Sequence, residues 1–207
     1  MTNILSEPKN TKERIMLEAS ILFAHRGYAA VSMRDIAERV DIKASSIYNH
    51  FKNKEALFTA IVTHIKNLYI DFFARTDLLI AKAKSFRDVL DCLCGELRNI
   101  PYIFIFYGVS LITMEQFRYP YANEVFGKTL VKRGIEYSRS KFDMCIEKGW
   151  VEPFDTLGLA TLFNNNILVG TLIRTHEDMQ HETWISAKDM FETMYDYVLS
   201  SVTVIES

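Results

Sequence analysis

Three groups of side chains in this sequence have the types and spacing for chemistry. His176-Glu177 with His181 approaches a helical zinc site, in which two His four residues apart face one way and the Glu serves as base. The second His falls one place too far and leaves that face, so the stretch reads as a polar loop and no metal is expected. His50 could be a ligand or a base, yet no second His, Cys or carboxylate recurs at helical spacing on its side. It reads as a phosphate contact or a helix-end histidine. The third group is Ser46-Ile-Tyr-Asn-His-Phe-Lys-Asn-Lys-Glu-Ala-Leu57, which sets Tyr48, His50 and Phe51 beside Lys52 and Lys54. Rings, amides and hydroxyls among cations suit a polyanion surface better than proton transfer. A nucleophile–base pair is visible nowhere, so neither an enzyme nor a cofactor is expected.

These side chains need elements to hold them. Asn10-Thr-Lys-Glu13 reads as a helix start, and Ile15, Ala19, Leu22 and Phe23 follow on one helical face. Gly27 stops that helix. Ser32-Met-Arg-Asp35 is a second capping box, opening a short helix whose apolar face is Ile36, Ala37 and Val40. Asp41-Ile42-Lys43 is a turn, residues 44–50 a third short helix, and Asn53 the cap of a long fourth. Ile42 and Ile47 point between the two short helices, which is the helix-turn-helix arrangement. Further helices are predicted over residues 86–98, 102–117, 121–148, 156–176 and 186–202, with breaks at Ile100-Pro101, Tyr119-Pro120, Gly149 to Pro153 and Glu177 to Glu182. No stretch alternates long enough to make a strand, so the fold class is all-α.

Composition agrees. The 207 residues are 49% hydrophobic with four Pro and eight Gly, which favours long helices around a sizeable core. Residues 1–60 carry nine Lys/Arg against seven Asp/Glu, and the remainder 15 against 19, giving net charges of +2 and −4. A mildly basic head on an acidic body fits a polyanion partner for the head alone. The N-terminus shows no signal peptide. The most apolar stretch, 100–114, is too short to span a bilayer and contains Pro101 and Gly108. Cys92 and Cys94 lie on different sides of a helix, which suits reduced thiols in a cytoplasm.

From Asn10 to Leu57 the sequence resembles the DNA-binding region of the TetR family of bacterial transcriptional regulators. The resemblance is carried by Ala-x-x-Leu-Phe-Ala-x-x-Gly-Tyr (Ala19 to Tyr28), Ser32-Met-Arg-Asp-Ile-Ala37 and Ser46 to Leu57. It covers about the first quarter of the chain; the rest resembles the family only in being helical and of the right length. The resemblance implies a homodimer that binds an inverted-repeat operator, most often as a repressor, and that a small molecule releases. It implies a DNA-binding domain over residues 10–71, including the start of the linking helix, and an effector-binding and dimerisation domain over 72–207. A recognition helix needs small or hydrogen-bonding residues facing the major groove, and Ala44, Ser45, Ser46, Tyr48 and Asn49 supply them. The family pattern places Tyr48 on the sugar-phosphate backbone. Ser32, Arg34, Lys43, His50 and Lys54 are the expected phosphate contacts, Lys54 at the exposed start of the fourth helix. Two positions depart from the pattern. The turn carries Asp41 in place of Gly, and Lys43, which cannot cap by side chain, stands where Ser is usual. An enzyme or a protein-docking module with such a head is the rival reading, and gel-shift with competitor DNA separates them.

For the body, Phe104, Phe106, Tyr107, Phe117, Tyr121, Phe126, Tyr137 and Phe142 could line a cavity for a mostly apolar effector or could be ordinary core. Asn164-Asn165-Asn166 is unusual inside a helix, and an inward-facing member such as Asn166 would need a partner. Arg98, Arg118 and Arg174 are either anion anchors or solvated surface. In the last two long helices, Leu159, Phe163, Ile167, Gly170 and Ile173, and Ala187, Met190, Met194, Tyr197 and Ser201, recur at helical steps. The resemblance implies a dimer contact through the last two helices, with Phe163, Ile167, Gly170, Ile173, Met190, Met194 and Tyr197 as the expected face and bare Gly170 admitting a close helix; the alternative is that these stripes bury against the rest of the chain.

Overall fold

A computed structural model describes residues 8, 10–98, 103–180 and 186–205. The helices run α1 Thr11–Arg26, α2 Met33–Arg39, α3 Ala44–Ile47, α4 Lys54–Ile80, α5 Phe86–Arg98, α6 Ile103–Glu115, α7 Pro120–Glu124, a π-helix Val125–Arg133, α8 Gly134–Glu147, α9 Thr156–Gln180 and α10 Ala187–Ser200. Among the described residues extended pairing is confined to one antiparallel bridge, Val151 with Val204. The chain is therefore all-α.

Local chemistry sets the ends of the first helices. Asn10 accepts from the Glu13 amide at 2.9 Å, and Gly27 closes α1 with φ 79°, a conformation only glycine adopts without strain. Ser32 and Asp35 form a complete capping box on α2. Asp41 takes φ 54°, the left-handed conformation expected of it, and Lys43 caps α3 without a side-chain bond. Asn53 accepts from the Ala56 amide at 2.8 Å to start α4.

Three expectations are corrected. The third helix stops at Ile47, and residues 48–51 continue in tighter turns, with Asn49 bonding back to Ser46 and His50 to Ile47. The helix expected over 121–148 is interrupted by the π-helix. Val125, Leu130 and Gly134 are all buried, and their steps of five and four fit the wider π turn better than the α period. Helix α9 continues to Gln180, past the break expected at Glu177; His181 and Glu182 lie outside the described residues. The stretch 156–176 is long and apolar enough to cross a membrane by length and composition alone. It packs against α8 and α10, as a core helix does.

Two compact units result. The first holds α1 to α3, α4 as far as Leu68, α6 and α7. Ile15, Phe23, Ile36, Ile47, Leu57 and Ile61 are each 0% exposed at its centre. A helix of four residues such as α3 has no stability of its own, so burial of Ile47 and Phe51 holds it in place. Helix α6 packs on α1, and Gly108 is bare because a Cβ there would collide with Ile65. The second unit holds α4 from Tyr69, α5, the chain from Gly127, and α8 to α10. Phe86, Leu90, Phe142, Phe163 and Val198 centre its core. Cys94 and Cys145 are buried, and burial pushes the Cys145 thiol up to about 11, away from thiolate chemistry.

Candidate nucleic-acid interface

The helix-turn-helix is clamped from behind by long side chains. Arg14 donates to the Val40 carbonyl at 2.9 Å, satisfying the last turn of α2. Arg39 pairs with Glu18 at 2.8 Å. The Ser32 amide donates to Asp35 at 2.7 Å, the Ser32 hydroxyl donates to the same carboxylate, and Ser32 Oγ accepts from the Asp35 amide. These bonds, with Arg26 at 3.4 Å, hold the Asp35 carboxyl below its ordinary range. A depressed folded-state value means that the box contributes fully at neutral pH and is lost only as pH falls through that value.

On this frame α3 presents an exposed polar face. Lys43, Ala44, Ser45, Asn49 and His50 are exposed, and Tyr48 is 53% exposed. Ser46 is half-buried, while Ile47 and Phe51 turn wholly inward. Ser32 and Arg34 are exposed at the start of α2. Small groups flank the amide of Asn49 and the phenol of Tyr48, so the face carries base-edge donors and acceptors without bulk that would hold a groove away. The Ser32 hydroxyl proton is already committed to Asp35, which makes Ser32 a helix cap.

Lys54 is corrected. Its ammonium donates to the carbonyls of Tyr28 at 2.8 Å, Ala29 at 3.3 Å and Val31 at 2.8 Å, and lies 4.4 Å from the Tyr28 ring centre. A lysine has three N–H donors, and all are used. It ties the α1–α2 loop to the start of α4 and does not stand exposed for phosphate. Lys54→Met is therefore expected to lose about 1–3 kcal/mol of stability, measured by urea unfolding, and to leave the salt dependence of DNA binding unchanged. No local signal announces this role, because the partners lie more than twenty residues back.

The aromatic residues expected around an effector do not gather in one unit. Phe104 is edge-on to His64 at 4.8 Å, and burial lowers the His64 pKa. Tyr107 is 3% exposed and its hydroxyl meets His25 Nε2 at 3.3 Å. Tyr121 shares a hydrogen bond with Thr63 at 3.0 Å, and Phe126 is half-buried. Those four belong to the first unit. Phe117 is 87% exposed in the turn after α6 and lines nothing. Tyr137, in the second unit, stacks on Phe73 at 4.2 Å and donates to Asp77 at 3.0 Å. Asn166 bonds its own helix at Leu162, whereas Asn164 is the member of the Asn run that faces inward, 1% exposed. Arg118 pairs with Glu115 at 3.3 Å, His176 and Arg174 are exposed, and the Arg98 side chain lies outside the described residues. Among the described residues no cluster of three or more His, Cys, Asp or Glu could hold a metal.

The expected dimer face is also redrawn. Phe163 and Met194 are 1% and 4% exposed within the second unit's core, and Ile167 packs on it. A Cβ at Gly170 would lie 2.7 Å from the Phe191 ring of the same chain, so this glycine serves the α9–α10 contact of one protomer. Ile173 and Met190 are half-buried. Among the described side chains of α9 and α10, the large apolar residues left exposed are Leu157, Leu162, Val169 and Tyr197, at 49, 48, 47 and 54%.

Residues 15–61 match the family model for bacterial regulatory proteins of the tetR family. Over 64 residues the chain is 38% identical to the biofilm-operon negative transcriptional regulator IcaR of Staphylococcus epidermidis, covering 31% of this chain and 35% of that protein. Over 128 residues it is 35% identical to the transcriptional repressor KstR2 of Mycolicibacterium smegmatis, covering 62% of this chain and 53% of the repressor. The matches thus span a third to a half of those relatives' own length. Among solved structures, a protein from Saccharomonospora viridis described as a transcriptional regulator in complex with choline superposes with TM-score 0.73 at 18% identity, over 94% of this chain and 98% of that one. The ketosteroid transcriptional regulator KstR2 of Mycobacterium tuberculosis follows at TM-score 0.68 and 17% identity, over 96% and 98%. At such identities the structural likeness shows the fold.

Proposed function

We propose, from the match of residues 15–61 to the tetR family model, that this chain is a TetR-family DNA-binding transcriptional regulator, a repressor that binds an inverted-repeat operator as a homodimer in the cytoplasm and is released by a small, mostly apolar effector. The observation that carries the reading is the α3 face: Ser45, Tyr48, Asn49 and His50 exposed on a segment whose other side, Ile47 and Phe51, is locked into the core. Residues 10–71 serve as the DNA-binding domain and 72–207 as the effector and dimerisation domain. This functional division differs from the compact one because α6 and α7 pack with the head. That packing offers a route for release. Tyr107 of α6 meets His25 of α1, so a ligand that shifts α6 shifts the head, and DNA and effector weaken each other by one common factor.

The dimer is assigned to the exposed strip Leu162, Val169 and Tyr197 in place of Gly170. A symmetric pair sets two heads on half-sites about one helical turn or more apart. The S. viridis regulator is in complex with choline, which supports a small-molecule effector here.

The test is fluorescence anisotropy with the DNA upstream of the coding region, across salt. Tyr48→Ala is expected to weaken binding about 3–10-fold, one lost hydrogen bond, with the slope of log K on log salt unchanged because a phenol releases no counterion. Lys43→Ala is expected to reduce that slope by about one contact. Unaltered affinity and slope in both variants would remove this face from the DNA.

A further inference from the structure

Asn164 is 1% exposed in the middle of α9, and its Nδ2 has no hydrogen-bond partner among the described residues. Its Oδ1 is pressed against Gly134, where a Cβ would collide with it and would lie 3.2 Å from the Tyr69 hydroxyl. An oxygen fits against a bare Cα–H, a weak donor, and an NH2 group does not, so contact chemistry sets this orientation of the amide. Among the described residues the Tyr69 hydroxyl bonds the Leu130 carbonyl, at a long 3.5 Å, in the π-helix directly before Gly134. Burial pushes its pKa above the ordinary phenol value, so it stays a neutral donor. Thr171 and Thr175 lie on the same face of α9, 6% and 5% exposed, and spend their protons on the carbonyls of Ile167 and Thr171. A buried amide N–H without an acceptor is costly and seldom kept. Here the side chains of Asn164 and Tyr69, which carry one unused and one weakly used neutral donor, both adjoin Gly134 at the end of a π-helical segment, the kind of deformable turn that recurs at functional sites.

We propose that Asn164 and Tyr69 hold one uncharged oxygen of the effector, the carbonyl of an otherwise apolar ketone. The inference rests on the reading of this chain as an effector-released regulator. Neutral donors suit a neutral acceptor; a carboxylate brought here would lose its hydration without a cation to replace it. The ligand enters by opening of the unit, because the amide is sealed in the closed form, and ligand binding draws the population to the open-and-filled state.

The probes are camphor and cyclododecanone, each paired with its parent hydrocarbon, camphane and cyclododecane, with choline as a third arm. In isotope-labelled full-length protein, the Asn164 side-chain amide resonance, assigned by its loss in Asn164→Leu, should move with a ketone and stay still with the hydrocarbon and with choline. Asn164→Leu should raise the Kd for that ketone about tenfold, the value of one buried hydrogen bond. Since Leu keeps the branched shape and removes an unsatisfied amide, its melting temperature without ligand should equal or exceed that of the wild type. Asn164→Ala, which adds no volume, should likewise lose the ketone response. A still resonance with both ketones, or a Leu variant that melts several degrees lower because a fixed water satisfies the amide, overturns the proposal. Wild-type binding to the upstream DNA is measured in parallel: its absence fails the regulator reading itself, whereas intact DNA binding with a silent Asn164 fails only this inference.

Discussion

Phe163→Ala is expected to lose about 3–5 kcal/mol of folding stability, seen as a lower urea midpoint. Phe163 is 1% exposed and stands edge-on to Phe142, ring centres 6.1 Å apart. It joins α9 to the core residues of α5, α8 and α10, including Leu90, Leu93 and Val198. Truncation removes both the transfer energy of the ring and its packing, and four rigid helices cannot close around the gap. The loss should be independent of protein concentration, since the contact lies within one protomer. A loss below about 1 kcal/mol would place the ring outside the core, because that is the scale of ordinary surface substitutions.

The neighbouring residue should behave in the opposite way. The double change Leu162→Glu and Val169→Glu is expected to leave protomer stability within about 0.5 kcal/mol, as exposed sites do, and to yield a monomer by sedimentation. Leu162 and Val169 are seven residues apart on one α9 face, nearly half exposed, with Tyr197 of α10 also exposed. Facing carboxylates on a two-fold axis repel and cannot be desolvated without partners. Operator affinity should then fall about 100-fold or more, because the second head no longer binds at high effective concentration. A variant that stays dimeric and binds DNA normally would put the interface elsewhere. Gly170→Trp is no test of the dimer, since the indole would meet Phe191 within its own chain.

The pattern of caps and turns in the head was legible in the sequence. Asn10, Ser32 with Asp35, and Asn53 each act on an amide three residues away, and Gly27 and Asp41 act through their own backbone angles. Such interactions depend on residue type and spacing alone. The α5 boundaries, 86–98, were equally readable because one face of that helix is strictly apolar and the other polar. Where a segment is apolar on most sides, periodicity could not say which side met which neighbour. In α9 the stripe through Phe163 and Gly170 was read as a surface between protomers, and it is the inner contact with α10 and α5. Lys54 was read from its place at a helix start as a phosphate ligand, yet carbonyls of a distant loop had taken its protons. Residue types and short spacings determined that the head is a capped helix-turn-helix with a polar, groove-facing third helix. Only the tertiary structure decided which of two adjacent residues, Leu162 or Phe163, faces solvent, why the 121–148 helix widens, and that Asn164 turns inward unpaired, because each of these depends on groups brought together from far along the chain.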